Sequence, residues 1–183
     1  NALLRESIDL GGTTFWQEAR FKGSILHSEA GFESSVFKRY VTFKDIYIKK
    51  DAWFQGSCFS AIANFGNAVF LGHANFGSAS FGELCTNFEK ASFHEDVDFT
   101  QSRFSGTANF KFATFAKAAS FWKAGFSKDA NFEGANFKGY SSFQSAKLSG
   151  NADFRSAIFE EEFNLEFAEF MGNAIFLGSH MIG

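Results

Sequence analysis

Residues 54–81 read FQGSCFSAIANFGNAVFLGHANFGSASF, with phenylalanine at 54, 59, 65, 70, 76 and 81. The gaps run 5, 6, 5, 6 and 5. An amphipathic helix returns its apolar face at i, i+3, i+4 and i+7, which this alternation cannot supply. The pattern is that of short strands. Ala63 and Phe65, or Ala74 and Phe76, lie two residues apart and point to one side of an extended segment, while the residues between and after them point outward.

Read outward from this stretch, the register holds for the whole chain. Forward from Phe88 it passes through Phe93, Phe99 and Phe104 and on to Leu165, Phe170, Phe176 and Met181. Backward from Phe54 it passes through Ile48, Phe43, Phe37, Phe32, Leu26, Phe21, Phe15 and Leu10 to Leu4. A small or compact residue, mostly Ala, stands two positions before most core residues, with Phe163 the bulkiest exception. The spacing breaks once. Phe81 to Phe88 is 7 residues, so one extra residue lies within Gly82-Glu83-Leu84-Cys85-Thr86. Such short segments bury nothing alone, and stacking successive coils about 4.8 Å apart makes one continuous core.

The triplets Ala63-Asn64-Phe65, Ala74-Asn75-Phe76, Ala108-Asn109-Phe110, Ala130-Asn131-Phe132 and Ala152-Asp153-Phe154 match the unit of the pentapeptide-repeat family, which the chain resembles over nearly its whole length. The resemblance implies an all-β fold, a right-handed quadrilateral parallel β-helix (β-solenoid). The chain departs from the common unit in preferring Phe and in adding a residue at every second corner. Four faces of 5, 6, 5 and 6 residues make a coil of about 22. A flattened coil of two faces and 11 residues is the alternative, and it would crowd opposed rings. The expected rod has about eight coils, is roughly 40 Å long and forms a single domain over residues 1–183. Two of its core columns would be Phe88-Phe110-Phe132-Phe154-Phe176 and Phe93-Phe115-Phe137-Phe159-Met181. Right-handedness also follows from the rule for parallel crossovers. Asn87, Asn109, Asn131 and Asp153 should form a polar column bonding along the rod or to corner backbone. Gly72, Gly106, Gly134, Gly139, Gly150 and Gly172 follow core positions, where a turn is expected to need relaxed φ.

Composition narrows the function. The 183 residues contain 29 Phe, no Pro, 17 basic and 20 acidic residues, for a net charge of -3. No basic stripe of the kind nucleic-acid binders carry is expected, so direct nucleic-acid binding is not. Charges interrupt every apolar run well short of about 18 residues, which leaves no membrane-spanning segment. Cys58 and Cys85 fit neither a metal site nor a disulfide framework, and a cytoplasmic location is expected. His27, His73, His94 and His180 show no metal spacing and no carboxylate beside them in the repeat register. Glu160-Glu161-Glu162 falls at a corner and reads as a solvated cluster. Catalysis needs groups converging in a cleft, and a filled convex rod provides none. No enzyme activity, cofactor or metal is expected.

The outward positions carry the remaining information. Leu3, Ile25, Tyr47 and Val69 precede the core residues of one face on four consecutive coils, with Leu71 beside them. This stripe, which turns polar at Ser92, Thr114 and Asn136, is the candidate contact for a protein partner of unknown identity. The inserted corner at Leu84 and Cys85 is a second candidate contact. The repeat is still in register at Leu4 and Met181 with no capping helix, so the chain is expected to be part of a longer one or to form a homodimer through an uncapped end. The expected role is a rigid scaffold for protein interaction. Some members of the resembled family mimic DNA and protect or inhibit gyrase. That alternative wants a strongly acidic surface, whereas here Lys44, Glu89, Lys111, Glu133 and Arg155 alternate along one column.

Overall fold

The computed structural model describes residues 2–182. It has 33 strands of two residues each, arranged in four sheets. The first face runs from Leu3–Leu4 to His180–Met181 in nine strands. The second runs from Ile8–Asp9 to Phe163–Asn164, the third from Thr14–Phe15 to Glu169–Phe170 and the fourth from Ala19–Arg20 to Ala174–Ile175, each in eight. Each of the first 29 strands pairs in parallel with the strand four places later, so four faces close each coil and the two-faced coil is ruled out. Leu3 faces Ile25, a step of 22 residues. The step is 23 wherever the inserted corner lies within the coil, as in Ala63↔Thr86 and Ser80↔Arg103, and returns to 22 at Thr86↔Ala108.

The five–six alternation reflects two kinds of corner. After each core residue of the second and fourth faces, the N–H three residues on donates to its carbonyl, as Ser57 does to Phe54 at 3.1 Å and Ala68 to Phe65 at 3.0 Å. The second residue after the core position then takes φ between +53° and +71° at all sixteen of these corners, as a type II turn requires. Eleven of them are not glycine, Lys90, Phe112 and Phe167 included. Each such residue carries roughly 1 kcal/mol of backbone strain, which the ladders on either side hold in place. Among the described residues the six-residue corners show no positive φ.

The glycines correct the sequence reading. Of the six expected to relieve φ, only Gly134 is left-handed, at +64°. The other five occupy six-residue corners that press on the coil below. A Cβ on Gly139 would stand 2.6 Å from the Lys117 carbonyl carbon, and one on Gly106 would collide with the Leu84 carbonyl oxygen and lie 2.6 Å from that of Glu83. Close approach of backbone to backbone, not conformational freedom, excludes a side chain there.

The interior is four columns of rings. Within a column the coil rise sets the ring spacing: Phe88–Phe110 and Phe110–Phe132 lie 4.9 Å apart with planes within 4°, and Phe115–Phe137 lies at 4.5 Å. That spacing exceeds the contact thickness of an aromatic ring, so the planes stack with an offset, the arrangement the ring quadrupole favours. Second- and fourth-face rings meet edge to face across the axis, Phe54–Phe65 at 5.5 Å and 89°, and Phe65–Phe76 at 5.4 Å and 87°. Both expected columns are present. Small residues such as Ala63 and Ala74 are buried beside the rings, and the compact Val41 and Val97 take the same places on neighbouring coils. At Phe163 the order is reversed: its ring stacks on Phe159 at 3.9 Å, and the next core position holds the smaller Leu165. Toward the rod's ends the core opens, with Leu4 and Met181 exposed.

Candidate interaction surface

The parallel register of the first face decides which outward residues become neighbours. Leu3 lies beneath Ile25, Ile25 beneath Tyr47, and Tyr47 beneath Val69. Four consecutive coils therefore carry one apolar column, about 14 Å long at the usual strand spacing. Leu3 and Ile25 are exposed, while Tyr47 and Val69 are half-buried. Leu71 flanks Val69 and is tied to the coil below by its N–H, which donates to the Ile48 carbonyl at 2.9 Å. The column then turns polar through Ser92, Thr114 and Asn136, as the sequence indicated, and becomes apolar again at Ile158.

At the inserted corner Leu84 is 52% exposed and Cys85 is exposed. The sequence reading treated this corner by itself. In the structure Leu84 lines a shallow depression with Tyr40 and Ile62, which stand just before the fourth-face strands of the two preceding coils. That neighbourhood was readable from the 22-residue period but obscured by the insertion.

The polar column of the fourth face forms in both expected ways. Asn87 Nδ2 donates to Asn64 Oδ1 at 3.3 Å, and Asn109 Nδ2 to Asn87 Oδ1 at 3.1 Å. Each side-chain oxygen also accepts a corner N–H two residues on, as Asn109 does from Lys111 and Asn131 from Glu133. Beside it Lys111 pairs with Glu133 at 2.8 Å, and Arg155 approaches Glu133 at 3.7 Å and Asp153 at 2.6 Å. The side-chain hydrogen bond from Arg155 lowers the Asp153 pKa against the opposing effect of partial burial.

One histidine departs from the sequence reading. His73 does have carboxylates in its column: its N–H donates to Asp51 Oδ1 at 2.9 Å, and its Nδ1 lies 3.9 Å from Asp96 Oδ2. Among the described residues no group of three or more His, Cys, Asp or Glu side chains could hold a metal ion. Among them, too, no helix is long and apolar enough to cross a membrane. Cys58 and Cys85 are both free thiols, and Glu160, Glu161 and Glu162 are exposed at the corner between the first-face strand Ile158–Phe159 and the second-face strand Phe163–Asn164.

A family profile described as pentapeptide repeats matches the chain in nine copies, over residues 54–103, 88–136, 99–146 and 132–180. No curated protein matches it in sequence.

Proposed function

Since the chain belongs to the pentapeptide-repeat family, whose members are generally non-enzymatic, we propose that it is a rigid scaffold that presents its first face to a protein partner. The observation that supports this most is the unbroken alignment of Leu3, Ile25, Tyr47 and Val69. Neighbouring apolar side chains on one flat ladder offer a partner a continuous dehydrating contact, which scattered exposed residues such as Trp16 do not. Leu71 widens the stripe, and Leu84 with Cys85 forms a separate secondary contact. The exposed ring of apolar residues at the Met181 end also suits contact with a second copy. Two free thiols fit a reducing compartment such as the cytoplasm. DNA mimicry has less support, because the acids are interleaved with bases, as in the Lys111–Glu133–Arg155 series.

A photoreactive benzoyl-phenylalanine placed at Tyr47, and at Thr114 as a control on the same sheet, tests the proposal in the native host. A discrete protein adduct is expected from position 47 alone, lost when Ile25→Glu is added. Identical labelling from both positions, or none from 47, would overturn it. A gyrase supercoiling assay tests the alternative, which an unchanged rate at micromolar protein would remove.

A further inference from the structure

Opposite the apolar stripe, the third face changes character midway along the rod. Its outward column reads Arg103, Gly125, Lys147 in consecutive coils. A Cβ built on Gly125 would meet nothing within 4 Å, so one side chain is missing from an otherwise continuous ladder. The gap is the floor of a depression of about 700 Å³. Arg103 borders it on one side along the axis and Lys147 on the other, with Lys123 on the adjoining corner. The remaining polar lining is one Gln and five serines, Ser78, Ser105, Ser127, Ser145 and Ser149. No carboxylate lines it.

We propose that this depression binds a phosphorylated small molecule, its phosphate held over Gly125 between Arg103 and Lys147. Three cations gathered in a chain of net charge -3 create a local field that favours a dianion. Arg103 and Lys147 are two coils apart, about 10 Å along the backbone, and their long side chains reach inward to a tetrahedral group at the middle level. The guanidinium supplies a two-pronged donor suited to phosphate oxygens, and the ammonium supplies a point charge. Serine hydroxyls donate to whichever oxygens face the walls. The volume lies within the range of small-molecule sites and exceeds a bare phosphate, leaving space for a hydroxylated body of sugar-phosphate size.

The cations are available for this role. Lys147 has an exposed partner, Glu169, at 3.3 Å, and such a surface pair is readily exchanged for a ligand. The Lys123 ammonium rests 4.1 Å from the Trp122 ring centroid, which holds it beside the site without neutralising it.

The test is titration of the whole chain with pyrophosphate, followed by amide ¹H–¹⁵N shifts in low salt. Saturable shifts confined to the Arg103, Gly125 and Lys147 levels are expected. Gly125→Glu fills the depression and places a carboxylate between the two cations. Because its Cβ meets no atom and its φ is ordinary, the variant should keep or raise the melting temperature while weakening pyrophosphate at least about tenfold. Arg103→Gln should weaken it several-fold. No saturable shift by about 10 mM pyrophosphate, shifts spread equally over lysines of all four faces, or unaltered affinity in a folded Gly125→Glu would each overturn the proposal.

Discussion

Truncating Phe99 to Ala tests whether the ring columns hold the rod together. Phe99 is fully buried. It stacks on Phe76 and Phe121, both at 4.9 Å, and meets Phe88 and Phe110 edge to face at 5.3 and 5.4 Å. Removing the ring takes away roughly 130–150 Å² of buried apolar surface, worth about 3–4 kcal/mol. Loss of two stacked neighbours adds about 1 kcal/mol, placing the total at about 4–5 kcal/mol, the upper part of the Phe→Ala range. Phe15 is the comparison. It is half-buried, has one stacked neighbour, Phe37 at 4.7 Å, and one edge contact, Phe21 at 6.3 Å. Its truncation should cost about 2 kcal/mol, below that range because much of the ring is already exposed. Equilibrium urea unfolding followed by far-ultraviolet circular dichroism measures both, and amide exchange separates fraying of end coils from global unfolding. Phe99→Leu should recover most of the loss, since Leu148 fills a core position of the adjoining third face while fully buried. A cost below about 2 kcal/mol at Phe99, or equal costs at Phe99 and Phe15, would refute the reasoning.

Three further outcomes are expected. Gly106→Ala should destabilise by about 2–3 kcal/mol, read as a lowered urea midpoint, because the new methyl would strike the Leu84 and Glu83 carbonyls. The same change at Gly125, where a Cβ meets open space, should be neutral or stabilising in the same assay. Asn109→Ala should cost about 1–2 kcal/mol by leaving the Lys111 N–H without its acceptor and Asn87 Oδ1 with the Glu89 N–H alone. Asn109→Asp should keep the N–H acceptor and lose less. Asp153 has its folded pKa lowered chiefly by the Arg155 hydrogen bond. Its stabilising contribution is therefore complete above the unfolded value of about 3.9 and is lost as pH falls through the lower folded value. Melting temperatures of wild type and Asp153→Asn should accordingly converge between about pH 4 and pH 2, and parallel curves across that window would remove the claim.

The coil was legible because every Phe from Phe15 to Phe176 except Phe112, Phe163 and Phe167 lies on one alternation of five and six, and a single extra residue at the Gly82–Thr86 corner stands out against it. The apolar stripe was legible for the same reason: register places Leu3, Ile25, Tyr47 and Val69 at a common offset. Turn geometry was not. Left-handed corner positions hold Lys90, Gln101, Phe112 and Lys123, residue types that do not announce a positive φ, since the ladders rather than the residue impose it. The glycines misled in the opposite direction, because contact between backbones of successive coils leaves no mark beyond the glycine itself. The phosphate site was missed because its defining feature is an absent side chain at Gly125, between cations more than twenty residues away in sequence on either side.

The ladder bonds run along the rod, from each coil to the next, as in Phe65 N–H to Asn87 carbonyl or Phe88 N–H to Asn109 carbonyl. Tension applied to the two termini would therefore load those bonds lengthwise and peel them in sequence instead of shearing many together. Each detached turn would release about 75 Å of slack, giving a regular sawtooth of extension. The rod would be stiff in compression and bending, yet would pay out chain in even increments under pull.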